Sequence, residues 1–580
     1  MAEVEIQTER VDDIPLLVHQ QQRMGIPEVL DSVLHPHGNR QGMSIGWLTV
    51  GWLSYILSAA DHRMSEVESW AAERMEALKA LLPGLGGAHD FTDDRLADVL
   101  RCLSDEACWA QIEAQLGARL IRVYALECNP IRLDSTAVAV YHDTEGNTLF
   151  RHGYSKDHRP DLAQFKVMLG TLDPMGMPLA TLVVAGNESD DRLYVPAIQR
   201  ARPVVGQGER LYVGDAKMGA LATRVFVHAG KDYYLTPLAL TGKVPELLLA
   251  LLEPVWRKVQ PVQRIYAPNT DDSNAPEAKP RLLALGYETT RQQEARVEGG
   301  TITWQERVLV VYSSSLAQPA RGGLSDRLDR AERALLALTP PPGRGKRQWD
   351  DLEALQGAAE AVLKKYRVEG LLTVHYQQER KQRTIRQYRD RPARTEEQVR
   401  YVVQVRRCQV AIRAARRLMG WRLYVTNALP EALSLTQAVW TYRGAPHIER
   451  GFRRLKGHPL GIRPLYVQRE DHAKGMVRLL SLALRVLTLV EYEVRRQLQV
   501  ERETLSGLYA GNPKRRTARP TTERLLKAFR GITLTIVQLP DQTIRHVTPL
   551  SKRQRRILAL LGLSAAIYEN LALAADPIPP

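Results

Sequence analysis

Ile131–Val140 reads IRLDSTAVAV, and it is where the chain changes character. Apolar and β-branched residues fill it, which suits a strand, and one acid, Asp134, stands inside it. A loop dense in Asp, His, Lys and Arg follows, Tyr141–Leu162. Two more strand-like runs, Phe165–Leu172 and Leu179–Ala185, are joined by the turn Asp173-Pro174-Met175-Gly176. Asp191–Ala201 suits a helix, and Arg210–Val213 is a short apolar strand running into Gly214-Asp215. A helix, Met218–His228, and a strand, Tyr233–Leu238, come next. The order β, β, β, α, β, α, β predicts an α/β class: a mixed sheet with flanking helices.

Upstream, residues 1–125 read as an all-helical N-terminal domain, suited to dimerisation or packing as much as to reading DNA. Val11–Leu34 has helical apolar spacing, and Ser65 with Glu68 fits a capping box. Ile45–Ala60 (IGWLTVGWLSYILSAA) is the most apolar run. It is shorter than the roughly 20 residues a bilayer span needs, so a buried core helix is expected.

Downstream, residues 126–240 form the first part of the sheet domain, and 241–420 read as an insertion. The insertion contains the linker TPPPGRGKR (Thr339–Arg347) and a strongly basic segment, Arg380–Arg417, interleaved with Tyr388 and Tyr401. Such a segment suits phosphate contacts with stacking, or a solvated arginine-rich element. Residues 421–500 return to the sheet domain and end in a long apolar helix, Asp471–Leu498. Residues 501–580 form a C-terminal region of basic patches and helices.

Lys and Arg outnumber Asp and Glu by 80 to 65, a net charge of +15, which favours a polyanionic partner such as nucleic acid. The four cysteines form no CxxC pair, so neither a zinc knuckle nor a disulfide framework is indicated. The opening MAEVEIQTER is acidic and polar, unlike a signal peptide. A cytoplasmic protein with no membrane partner is expected.

Thr441–Gly457, TYRGAPHIERGFRRLKG, carries the third candidate acid, Glu449. Proline suits the first turn of a helix from Pro446 onward. Ile448, Phe452 and Leu455 make a buried stripe, and Glu449, Arg453 and Lys456 share the neighbouring face. Taken alone, this is an amphipathic helix with a solvated charged face. Asp134 inside an apolar strand needs a partner or a metal. Asp215 sits at the carboxyl end of a strand, where functional groups gather in open α/β sheets. With Glu449 these acids would complete an oxygen-only cage for hard cations. Spacing alone does not select these three among 65 acids.

The constellation resembles the DDE transposases of bacterial insertion sequences. One large group of them carries the signature Tyr-x2-Arg-x3-Glu-x6-Lys. Tyr442, Glu449 and Lys456 fall on it, while Ala445 stands at the Arg position and Arg443 and Arg450 are its neighbouring substitutes. IRLDST around Asp134, GYSKDHRPDLAQ at Gly153–Gln164 and GNESD at Gly186–Asp190 are similar to the same group. The N-terminal text from VDDIPLLVHQ through GWLSYILSAADHRMSEVESW is similar to the IS-four and IS-sixteen-thirty-four lineage.

The resemblance implies an RNase H-like catalytic fold interrupted by an insertion domain. It implies Asp134, Asp215 and Glu449 as catalytic metal ligands for two Mg²⁺ ions, with Mn²⁺ as a substitute. It implies Tyr442, Arg443, Arg450, Arg453, Lys456 and Lys156 as contacts to double-stranded DNA, and a homodimer on paired ends. Cleavage at the ends of the element would free a 3′-OH that attacks target DNA. An RNase H-like nuclease without strand transfer, or an inactive DNA-binding relative, are the competing readings. Trp304 is a candidate for stacking on a flipped base, or a core tryptophan. His142, His152 and His158 lack the tight spacing of a zinc site.

Overall fold

The computed structural model describes residues 5–35, 42–155, 157, 159–268, 281–343, 346, 348–386, 392 and 394–573. They divide into two compact units. One holds residues 1–239, 292–306 and 425–580, the other 240–291 and 307–424.

The first unit opens with a strand, β1 (Glu5–Arg10), in a region whose sequence predicts only helices. β1 pairs antiparallel with Thr533–Leu539, which pairs with Gln542–Val547, so the two ends of the chain build one small sheet. Helical spacing from Val11 to Leu34 resolves into two helices, Ile14–Met24 and Ile26–Val33, broken at Gly25 with φ 79°. The capping box expected at Ser65 is absent: the helix Val67–Ala72 starts from Glu66 with no side-chain cap. Ile45–Ala59 is a buried helix, as its composition predicts. Among the described residues no helix is long and apolar enough to cross a membrane.

The mixed sheet follows the predicted order. β2 (Ile131–Val140), β3 (Ala163–Leu172) and β4 (Met177–Ala185) form an antiparallel meander. The helix Tyr194–Val205 leads to β5 (Leu211–Val213), which pairs parallel to β2. The helix Leu221–Ala229 leads to β6 (Tyr233–Pro237), parallel to β5. β3 is buried along its whole length, as a strand covered on both faces must be. The helix Glu470–Val500 packs on β4 and on the helix Asp93–Ser104. It brings Arg485, itself buried, to within 3.0 Å of the buried Glu113.

The second unit has its own core, around Leu324, Leu328, Leu335, Leu355 and Ile412. The basic segment becomes an antiparallel hairpin, Leu372–Ile385 with Arg394–Arg407, followed by the helix Gln409–Leu418. Part of its charge is neutralised locally, with Arg400 paired to Glu379 and Arg407 to Asp329 and Glu332.

Candidate active site

Asp134 lies on β2, and Asp215 lies just past the end of β5, the parallel neighbour of β2. Ile131 pairs with Tyr212 and Arg132 with Val213 along the parallel β2–β5 pair. Asp134 follows two residues after the last paired residue of β2, and Asp215 two residues after that of β5. Asp134 is half-buried, and its Oδ1 accepts from the Ser135 N–H at 2.8 Å. Asp215 is exposed where β5 ends. Its Oδ1 accepts from the Tyr194 hydroxyl at 2.6 Å and from the Lys217 N–H at 2.8 Å. Burial and the nearby Asp215 and Asp134 charges push the Tyr194 hydroxyl well above the ordinary tyrosine range, so it is a neutral donor. Nothing in the local sequence marks Tyr194; its partner is 21 residues away and reached only through the fold.

Glu449 comes from the helix Pro446–Lys456, which packs on β2. Alternate residues of a strand share a face, so Arg132 and Asp134 point the same way. Arg132 shows that this face meets the segment entering the Glu449 helix. Its Nη2 donates to the Thr441 carbonyl at 2.6 Å and to Asp173 Oδ2 at 2.5 Å. Gly444 leaves room for that clamp, because a Cβ there would lie 2.6 Å from Arg132 Nη2. At the other end of the helix, Lys456 and Arg463 both reach Asp157, at 3.6 and 2.9 Å.

The predicted apolar stripe of the helix is buried: Ile448, Phe452 and Leu455. Glu449 and Arg453 are exposed and Lys456 is half-buried. Tyr442 and Arg443 are half-buried just before the helix, beside Thr441. Arg450 is turned inward to Glu491 on the long helix. Arg454 is buried, with Nη2 2.6 Å from Glu491 and Nε 2.7 Å from Glu523. Arg495 joins them at 2.8 Å from Glu491. Lys156 and His158 lie outside the described residues. Trp304 is a core residue: 4% exposed, stacked on His228 and donating to the Tyr234 hydroxyl at 2.9 Å. It belongs to the first unit.

Among the described residues no three His, Cys, Asp or Glu side chains stand together closely enough to hold a metal ion, the three acids included. The donor set nonetheless has the right chemistry for a hard cation. It is oxygen-only, and Asp215 and Glu449 are open to solvent.

Residues 130–486 match the Transposase DDE domain family. The chain belongs to that family. All three acids fall within the matched span. No curated protein sequence matches the chain. Among solved structures, it is similar to a cryo-EM structure of the piggyBac transposase synaptic complex with hairpin DNA. That likeness has a TM-score of 0.34 and 8% identity, covering 99% of this chain and 89% of the other.

Proposed function

We propose that this DDE-family protein is an insertion-sequence transposase. It cleaves the ends of its element by divalent-metal-dependent phosphodiester hydrolysis and joins the freed 3′-OH to target DNA. Asp134, Asp215 and Glu449 would hold the metal, two Mg²⁺ or Mn²⁺ ions. When bound, such ions activate the attacking oxygen and steady the leaving one. The observation that carries this reading is that Asp134, on β2, and Asp215, just past the end of β5, belong to neighbouring parallel strands inside the family-matched span. The clamp from Arg132 to Thr441 supports Glu449 as the third member.

The chain's own groups supply the rest. Arg453 and Lys456 hold the scissile strand by its phosphates, with Tyr442, Arg443 and Lys156 as further DNA contacts. Water is the first nucleophile and the DNA 3′-OH the second, so the protein forms no covalent link to DNA. The mixed sheet reads as RNase H-like, interrupted by an insertion at 241–420, with a DNA-end-binding or dimerising segment at 1–125. The partners are the double-stranded terminal repeats and target DNA, bound by a homodimer in the bacterial cytoplasm. The signature text supports a place for the element in the IS-four and IS-sixteen-thirty-four lineage.

The test is cleavage and strand transfer on plasmid DNA carrying the element ends, in Mg²⁺. D134N, D215N and E449Q should each lose more than the roughly 10–100-fold typical of disturbing a residue behind a metal ligand. Any one of them cleaving at the wild-type rate removes that residue from the site. Cleavage without transfer of the 3′ end would identify a nuclease instead.

A further inference from the structure

Asp215 sits on an exposed turn, yet its carboxylate is not free to rotate. Oδ1 takes both the Tyr194 hydroxyl, at 2.6 Å, and the Lys217 N–H, at 2.8 Å. Oδ2 takes no hydrogen bond among the described residues. One carboxylate oxygen is therefore anchored, while the other is left without a hydrogen bond among the described residues. We propose that Tyr194 is a positioning residue of the metal site, fixing Asp215 so that Oδ2 alone is offered to the divalent cation. This rests on Asp215 being a metal ligand, as proposed above.

Three features show that the fold builds this contact. Tyr194 is 1% exposed, so its ring has one place to go and only its hydroxyl edge reaches the site. Gly214 admits the ring, because a Cβ there would lie 2.9 Å from Tyr194 Cε1. The approach to Tyr194 is pinned from the sheet. Lys166 on β3 donates to the Glu188 carbonyl and pairs with Asp190, each at 2.6 Å. That fixes the turn leading into the helix Tyr194–Val205.

A neutral hydroxyl suits the task. It orients the carboxylate without cancelling the negative charge that attracts the cation, whereas a lysine at that position would compete with the metal. Hydrogen-bond partners behind metal ligands commonly contribute 10–100-fold to metal affinity. A core tyrosine whose hydroxyl merely found the nearest acceptor would contribute nothing there.

Tyr194→Phe keeps the ring and removes the hydroxyl. The measurement is Mn²⁺ binding to the full-length protein without DNA, read as loss of the free-ion signal in electron paramagnetic resonance. Y194F should weaken Mn²⁺ by about 10–100-fold. The Mg²⁺ concentration for half-maximal cleavage should rise in parallel, with turnover recovering at saturating Mg²⁺. Duplex DNA binding in EDTA should stay at the wild-type level. If Y194F binds Mn²⁺ within about a factor of two of wild type while D215N has lost it, Tyr194 is only packing. If D215N also binds Mn²⁺ as tightly as wild type, the metal-site reading fails together with this one. Should Y194F not fold, Gly214→Ala tests the same contact by crowding the ring while keeping the hydroxyl, compared with Gly214→Ala/Met218→Ala, which relieves the crowding of Met218 alone. Weakened Mn²⁺ binding in that variant supports the proposal, and unchanged binding overturns it.

Discussion

Glu449, Arg453 and Lys456 lie on one face of the helix Pro446–Lys456, and Arg450 and Arg454 on the other. The front keeps Glu449 and Arg453 in solvent. The back drives its two arginines onto Glu491, a buried acid that also receives Arg495 and the Thr522 N–H. The same residue type thus has two fates one helical turn apart. A buried guanidinium needs a carboxylate, so the back cations belong to the fold. On the front, Arg453 stays in solvent and Lys456 meets Asp157.

The largest expected effect comes from the back. Glu491→Ala leaves Arg454 buried against a single remaining acid, Glu523. Removing one partner of a buried pair typically costs about 3–5 kcal/mol. Urea denaturation of the full chain should show a loss of that size. A loss under about 1 kcal/mol would mean that the back arginines are solvated and the contrast between the faces is not real.

The front should behave oppositely. Arg453→Ala with Lys456→Ala should change stability by no more than about 0.5 kcal/mol per site. It should weaken duplex DNA binding and reduce the slope of log K against log salt by about 0.9 for each phosphate that is no longer neutralised. Fluorescence anisotropy over a salt series measures it. An unchanged slope would return these residues to an ordinary solvated face.

The smallest effect is on pH dependence. Burial raises the Glu523 pKa, but the hydrogen bond and charge of Arg454 outweigh it and bring it down from 4.5 to about 2. A folded-state pKa below the unfolded one means the contribution is complete above the unfolded value and fades as pH falls toward the folded one. The stability difference between wild type and Glu523→Gln should therefore be constant above about pH 5 and shrink between about pH 4.5 and 2. A difference that is flat across that window would disconnect Glu523 from Arg454.

The sheet was legible because strand and helix periods are local. IRLDSTAVAV and the runs after it announce β2 to β6 and their order without any partner in view. β1 was not legible, because EIQTER is polar and becomes a strand only by pairing with Thr533–Leu539, more than 500 residues away. Trp304 looks alike in sequence whether it stacks on a base or on His228. At the candidate site, Asp134, Asp215 and Glu449 could be picked out by their settings, but Tyr194 could not. A tyrosine at the start of a helix carries no sign of what its hydroxyl will reach.

The sequence by itself determined the alternating pattern of strands and helices, the basic excess and the stripe that buries one side of the Glu449 helix. Those properties depend on neighbours a few residues apart. Only the tertiary structure decided which acids become neighbours, that Tyr194 anchors Asp215, and which arginines Glu491 withdraws from solvent. Each of those depends on strand register and helix packing across long stretches of chain, and a shift of one residue in register would have turned Asp134 to the opposite face.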